Sequence, residues 1–265
     1  MHKKYNELLL AFIVGTLSLF IITGCNDNGG GGGGGACPEP NLGIEICDPE
    51  TGTLFTLDID NGFFPVVVDS ESVLEDEEGN ARLVITVPGD EEPVDGIQTL
   101  VLVETEFDND VSNVLPIEVS RNFFAQVAEG EEGEGTVCYF GEDVDICDTG
   151  LQPDGNGGFL CDGEEPDHSG AWRAGVNGAM PGIMMLADPE IGDVYNEEIA
   201  PGVAEDIAQV TDLGEPIEVL DQIFDDTLTT LDCNPLTREP RDTKVYIRDM
   251  GIAQDADLFL VEFNP

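Results

Sequence analysis

The feature that most narrows the fold is a repeated local contrast: stretches rich in Val, Ile, Thr, Phe and Tyr, divided by clusters of Asp, Gly, Asn and Pro. Such stretches occupy residues 66–68, 82–87, 97–107, 115–127, 136–140, 217–231, 244–248 and 258–263. β-branched and aromatic side chains fit a pleated, half-buried surface, whereas clusters such as Glu77-Glu78-Gly79-Asn80 and Gly89-Asp90 supply the backbone geometry of tight turns. The pattern predicts a mainly β chain, an antiparallel sandwich or partly open, half-barrel-like barrel with little helix. Residues 204–210 are predicted as the one short helix, and 170–181 as irregular.

Acidity argues in the opposite direction and has to be weighed. Asp and Glu number 56 against nine Lys and Arg, for a formal net charge of −47. Strong charge with few aromatics is a signature of disorder. Here 41% of the residues are apolar and come in patterned runs, which predicts a folded domain. The charge repels nucleic acid and anionic lipid headgroups, so nucleic acid is excluded as a partner. Self-repulsion of this size is relieved by salt or cations, because the Debye length falls from about 10 Å at 0.1 M to about 3 Å at 1 M. Lys244 is the only lysine after residue 4, which fits adaptation to a saline exterior.

The amino-terminal end reads as a targeting segment. Lys3 and Lys4 precede an apolar run from Leu8 to Gly24, as in a signal peptide. The run approaches the roughly 20 residues that span a bilayer, so a transmembrane helix is the rival reading. Ile22-Thr23-Gly24-Cys25 resembles the lipobox of type II signal peptides, which implies diacylglycerol on Cys25 and a palmitate-type acyl anchor in the membrane. Each buried methylene contributes about 0.8 kcal/mol, so two or three acyl chains hold firmly without a spanning helix. Asn26 following the cysteine implies the outer membrane where the host has one. Gly29 to Gly35 form an unbroken glycine run without the Lys-Ser/Thr step of a phosphate loop. Residues 25–36 are therefore a flexible tether with a reach of roughly 18 Å. The expected organisation is a leader (1–24), lipidated Cys25 with its tether (25–36), a disulfide-containing segment (37–60) and an acidic β domain (61–265) in the cell envelope, facing periplasm or exterior.

Setting Cys25 aside leaves Cys37, Cys47, Cys138, Cys147, Cys161 and Cys233. An even number in an exported chain predicts three disulfides among fifteen pairings. Proximity favours Cys37 with Cys47 and Cys147 with Cys161, leaving Cys138 for Cys233. No Cys-x-x-Cys occurs and His168 is the only histidine after the leader, so a zinc or copper site is not expected.

The blocks GFFPVV (62–67), EVSRNFFAQ (118–126), CYFGEDVDI (138–146), AWRAGVNGAMPGIMM (171–185) and APGVAED (200–206) resemble successive segments of an uncharacterised family of exported, β-rich bacterial proteins and lipoproteins. The likeness covers roughly residues 61–265. That family's usual ending is altered here to Tyr246-Ile247-Arg248-Asp249-Met250-Gly251. The resemblance implies a β-rich domain akin to the half-barrels of lipoprotein carriers, and it implies no particular activity.

Several residues could carry chemistry. Asp58, Asp60 and Gly62, and Asp154 with Asn156, place oxygens at alternate positions as calcium loops do, yet neither segment has the full loop pattern, and turns use the same residues. Calcium at Asp154 and Asn156 is thus the one cofactor expectation. Asp167-His168-Ser169 is not a triad, because triad members meet through the fold and not in sequence. Arg121 and Arg173 sit among apolar residues in a chain poor in cations. With Trp172 and Asn177 they form the candidate binding site, against the plainer reading of structural ion pairs. Three function classes follow: a non-catalytic envelope protein binding a partner, glycan or cation; a half-barrel carrier of an apolar molecule, with a cavity lined by Phe63, Phe64, Phe123, Phe124 and Met184; and a carboxylate-based hydrolase. The first is favoured, since nothing selects a nucleophile, base or cofactor.

Overall fold

Antiparallel strands can be joined by tight turns, and the computed structural model is built of such strands through the residues it describes, 37–109, 111–112, 114–237 and 241–265. The leader, Cys25 and the glycine tether lie outside the described residues. The amino-terminal half contains β1 (Phe55–Thr56), β2 (Glu71–Glu75), β3 (Ala81–Thr86), β4 (Glu91–Val94), β5 (Ile97–Asp108), β6 (Glu118–Val127), β7 (Val137–Ile146), β8 (Gln152–Pro153), β9 (Phe159–Leu160), β10 (Trp172–Arg173) and β11 (Gly182–Met185). The remainder contains β12 (Val194–Asn196), β13 (Ile207–Leu213), β14 (Ile217–Val219), β15 (Gln222–Phe224), β16 (Thr227–Cys233), β17 (Asp242–Ile247), β18 (Gly251–Asp255) and β19 (Leu258–Asn264). Among the described residues the only helical piece is the 3-10 turn Pro49–Thr51.

One 15-stranded antiparallel sheet runs in the order β10-β7-β6-β5-β3-β2-β19-β18-β17-β16-β13-β12, with β1, β4 and β11 added at its sides. The last strand, β19, pairs with β2, so the chain's two halves meet in mid-sheet. The sheet curls without closing. Its ends approach at a seam where Met180 pairs with Ile199 in a single bridge and Gly182 lies against the backbone of Glu197, too close for a Cβ. Between the facing parts lies the main core, with Phe123, Tyr139, Phe140, Tyr195 and Tyr246 fully buried.

Two local expectations are corrected. Residues 204–210 do not form a helix: Ala204 bridges Ala200, and Ile207 starts β13, where its β-branched neighbours pair with β16. A segment this short has little helical stability of its own, and sheet pairing decides its state. The run 217–231 is not one strand but the β14–β15 hairpin followed by β16. Leu220 and Asp221 turn it with φ of 54° and 57°, the two positive values that a type I′ turn needs.

The disulfides correct two of three expected pairings. Cys147–Cys161 forms as expected, but the others are Cys37–Cys233 and Cys47–Cys138. The segment 37–60 is consequently stapled across the domain instead of closing its own loop. Asn41 reinforces this by exchanging hydrogen bonds with Val194. Closeness in sequence misled because a sheet brings distant strands together.

Candidate functional site

Strand alternation decides which side chains enter the space between the facing parts of the sheet. On β5, Leu100, Leu102, Glu104 and Glu106 share one face. Their partners on β6 are Phe124, Asn122, Ser120 and Glu118. On β7, Glu142 lies opposite Asn122. Lys244 of β17 stands opposite Asp255 of β18 and Thr230 of β16. The face is thus apolar at one end and acidic at the other.

The apolar end holds a cavity of about 100 Å³. Phe64, Ile85, Leu102, Phe124, Met184, Tyr246 and Ile252 wall it, and Glu104, Asn122, Lys244 and Asp255 reach into it as polar groups. The Phe64 and Phe124 rings meet edge to face at 5.1 Å, Phe124 stacks on Tyr139 at 4.8 Å, and Tyr139 meets Trp172 at 5.3 Å. This aromatic row leads from the cavity into the acid cluster. There the Tyr139 hydroxyl donates to Asn122 Oδ1 at 2.5 Å, and Asn122 Nδ2 donates to Glu104 Oε2 at 3.0 Å.

Beyond the cavity wall the acids are sealed from water. Glu118, Glu142, Glu197, Glu198 and Asp206 are all buried. Burial without a counter-charge favours the neutral form of a carboxyl. Burial pushes Glu118 and Glu198 up to about 7, and drives Glu142, Glu197 and Asp206 well above the usual carboxylate range, with neighbouring acids adding to the effect. Glu106, directly across from Glu118, is raised the same way. Trp172 Nε1 donates to Glu198 Oε1 at 3.2 Å, and the neighbouring Glu198 carboxyl adds to the upward push that burial exerts on Asp206. Lys244 is the cation of this interior. Burial works against its charge, but Asp232, 2.8 Å from its Nζ, holds it protonated.

The expected arginine site assembles only in part. Arg121 and Arg173 come to the same outer region, joined through Asp143: it lies opposite Arg121 in the β6–β7 ladder and accepts a two-pronged contact from Arg173. Arg173 also donates to Glu92 at 2.9 Å and lies over the Phe123 ring at 4.5 Å. Arg121 is looser, 4.0 Å from Asp90. Adjacent strand residues point to opposite faces, so Trp172 is buried on Glu198 and away from Arg173. Asn177 is exposed in a turn with φ of 54°.

Asp154 Oδ1 accepts the backbone N–H groups of Asn156 and Gly158, at 2.6 and 3.0 Å, so its carboxylate closes its own turn. These bonds hold its carboxyl below the usual range. Asp60 accepts from Gln126 at 2.7 Å. Among the described residues no three His, Cys, Asp or Glu side chains are grouped to hold a metal ion. Phe64, Phe124 and Met184 line the cavity as expected, whereas Phe63 lies beneath Arg248 and Phe123 beneath Arg173.

The interior acids were missed, although a signal existed. In Leu100-Val101-Leu102-Val103-Glu104-Thr105-Glu106, the acids continue in phase with the buried leucines, and that phase is what carries them inward.

Comparison with models of known protein families, with characterised proteins and with solved structures gives no match.

Proposed function

We propose that this chain is a non-catalytic lipoprotein of the cell envelope, anchored through Cys25, that binds a small and largely apolar molecule in the cavity between Phe64, Leu102, Phe124 and Met184. The cavity carries this reading. It is apolar on most of its walls, has a few convergent polar groups at one end, and is framed by strands on rigid registers, the usual make-up of a small-molecule site. Export is supported by three disulfides, which persist in oxidising compartments. The resemblance to exported bacterial proteins is in keeping with it.

Hydrolysis by paired carboxylates is the weaker reading. Such chemistry needs one acid kept protonated and its partner ionised. Glu104 and Asp255, the acids at the cavity's polar end, are both raised by burial.

Thermal unfolding of the full chain with and without toluene tests the cavity. A ligand that binds only the native state raises the midpoint as its concentration passes Kd. A midpoint rise that is abolished by Leu102→Phe, which fills the space, is expected; an unchanged midpoint would mean that the cavity is a packing gap. Acylation of Cys25 is read by mass spectrometry of the membrane fraction, and Cys25→Ser is expected to release the protein.

A further inference from the structure

The polar end of the cavity is out of balance in a particular way. Of the polar groups that line it, which also include Ser70, Ser72 and Asp249, Lys244 is engaged by Asp232, and Asn122 is engaged on both sides, by Tyr139 and Glu104. Two buried oxygens are left without a hydrogen-bond partner: the hydroxyl of Tyr246, which is fully buried, and Oδ1 of Asp255, which is 7% exposed. Glu104 adds a second carboxyl to the same end. Buried polar atoms are nearly always satisfied, so orphaned ones lining a cavity point to a ligand that supplies the missing partner.

The Tyr246 hydroxyl can donate as well as accept, but the ionised carboxylates of Glu104 and Asp255 only accept, so what is missing is a source of several donors. A carboxylate or phosphate ligand would bring further acceptors against Glu104 and Asp255 and be repelled, and the cation at this end, Lys244, is already paired with Asp232. A hydroxyl has one proton and can satisfy one of the three oxygens. A primary ammonium has three N–H donors and the charge to offset the acids. We infer that the cavity takes a primary amine on a short apolar body, with its ammonium seated among Glu104, Asp255 and the Tyr246 hydroxyl. This rests on the cavity being a binding site, as proposed above, and adds the chemistry of the head. The volume of about 100 Å³ limits the buried body to a small ring or a few methylenes.

The proton balance makes the preference pH-dependent. Asp255 is faced by Lys244 and by Glu104, Asp232 and Asp242, with Glu106 and Glu197 also close enough to feel it. Burial lifts it to about 7, so at pH 6 it is mostly neutral and at pH 8 mostly charged. An ammonium binds the charged form, and amine binding therefore tightens between pH 6 and pH 8.

The test is calorimetric titration of the full chain with benzylamine, benzyl alcohol and benzoate at pH 6 and pH 8, in 0.5 M salt to screen the acidic surface. At pH 8 benzylamine is expected to bind at least about tenfold more tightly than benzyl alcohol, the advantage of a charge-assisted hydrogen bond. Benzoate is expected not to bind. Asp255→Asn should bring the amine-to-alcohol ratio close to one, and Tyr246→Phe should reduce it, which keeps the test available should one variant fail to fold. Equal binding of amine and alcohol would overturn the ammonium inference while the cavity reading stands. Preference for benzoate would overturn it too. If no compound binds and the toluene experiment is also negative, both readings fall.

Discussion

Acids kept neutral by burial should invert the usual pH dependence of stability. In most proteins carboxylates are ion-paired when folded, and acid unfolds them. Here Glu118 stands at about 7 when folded against an ordinary 4.5. The folded state binds its proton more tightly than the unfolded chain does. Its contribution is therefore fully present below pH 4.5 and is lost as pH rises through 7. At about 1.4 kcal/mol per pH unit the full effect is about 3 kcal/mol, of which about 2.5 kcal/mol falls between pH 5 and pH 8. Glu198 behaves alike, and neighbouring acids titrate together, so the whole cluster loses several kcal/mol without simple addition. Urea unfolding at pH 5, 6, 7 and 8 with the disulfides intact measures this. Repulsion between surface acids has the same sign, but salt screens it and leaves the buried acids nearly untouched, so the series belongs in 1 M salt. Glu118→Gln keeps an acceptor for the Ser120 hydroxyl and cannot ionise, and it should flatten the slope by about 2.5 kcal/mol. Stability that is constant or rises from pH 5 to pH 8 in 1 M salt would refute the premise that the interior acids are protonated.

The disulfides should rank by the chain they enclose. Loop-closure entropy assigns about 5 kcal/mol to Cys37–Cys233, separated by 196 residues, and about 3 kcal/mol to Cys147–Cys161, separated by 14. Paired Cys→Ser variants compared by urea midpoint check the order, and equal losses would contradict it. Gly141 has φ of 124° and faces the Trp172 carbonyl so closely that a Cβ cannot fit. Gly141→Ala should therefore cost about 2–4 kcal/mol and shift the emission of Trp172, the only tryptophan, to the red. Arg173→Ala strips Asp143 and Glu92 of their partner and uncovers Phe123, for a loss of about 1–2 kcal/mol, whereas Arg121→Ala should stay within about 0.5 kcal/mol by the same assay.

The strands were legible where alternation and turn residues agreed. Ala81–Thr86, Ile97–Asp108 and Leu258–Asn264 match their apolar runs to within a residue or two, and Asp95-Gly96 forms the tight hairpin between Val94 and Ile97. Short or polar strands such as Glu71–Glu75 and Glu91–Val94 carried no such signal, because their own residues lack an apolar alternation and they are held by the longer strands they pair with. The same holds for Cys37 and Cys233, whose meeting depends on the whole sheet. The candidate site was harder still. Arg121 and Arg173 stood out because cations are rare, yet abundant acids absorb them. Glu104 and Asp255 did not stand out, since in so acidic a chain one carboxyl looks like any other. Only the strand phase separates a surface acid from an interior one.

That difference has an energetic consequence that distinguishes a site from a structural network. If Asp255 served to hold Lys244, removing its charge would destabilise the fold, as breaking a buried ion pair does. But Lys244 already has Asp232 at 2.8 Å, and Asp255 is lifted from an ordinary 3.8 to about 7 despite lying beside that lysine. Burial thus outweighs the attraction, and the ionised carboxylate is a net burden on the fold. Asp255→Asn should then stabilise the chain by about 4 kcal/mol at pH 8, with the gain shrinking to under about 2 kcal/mol at pH 5, where the native acid is already neutral. A residue whose removal strengthens the fold and erases the preference for an ammonium is one retained for binding, the usual exchange of stability for function. Loss of stability in Asp255→Asn at pH 8 would instead make it a strut for Lys244.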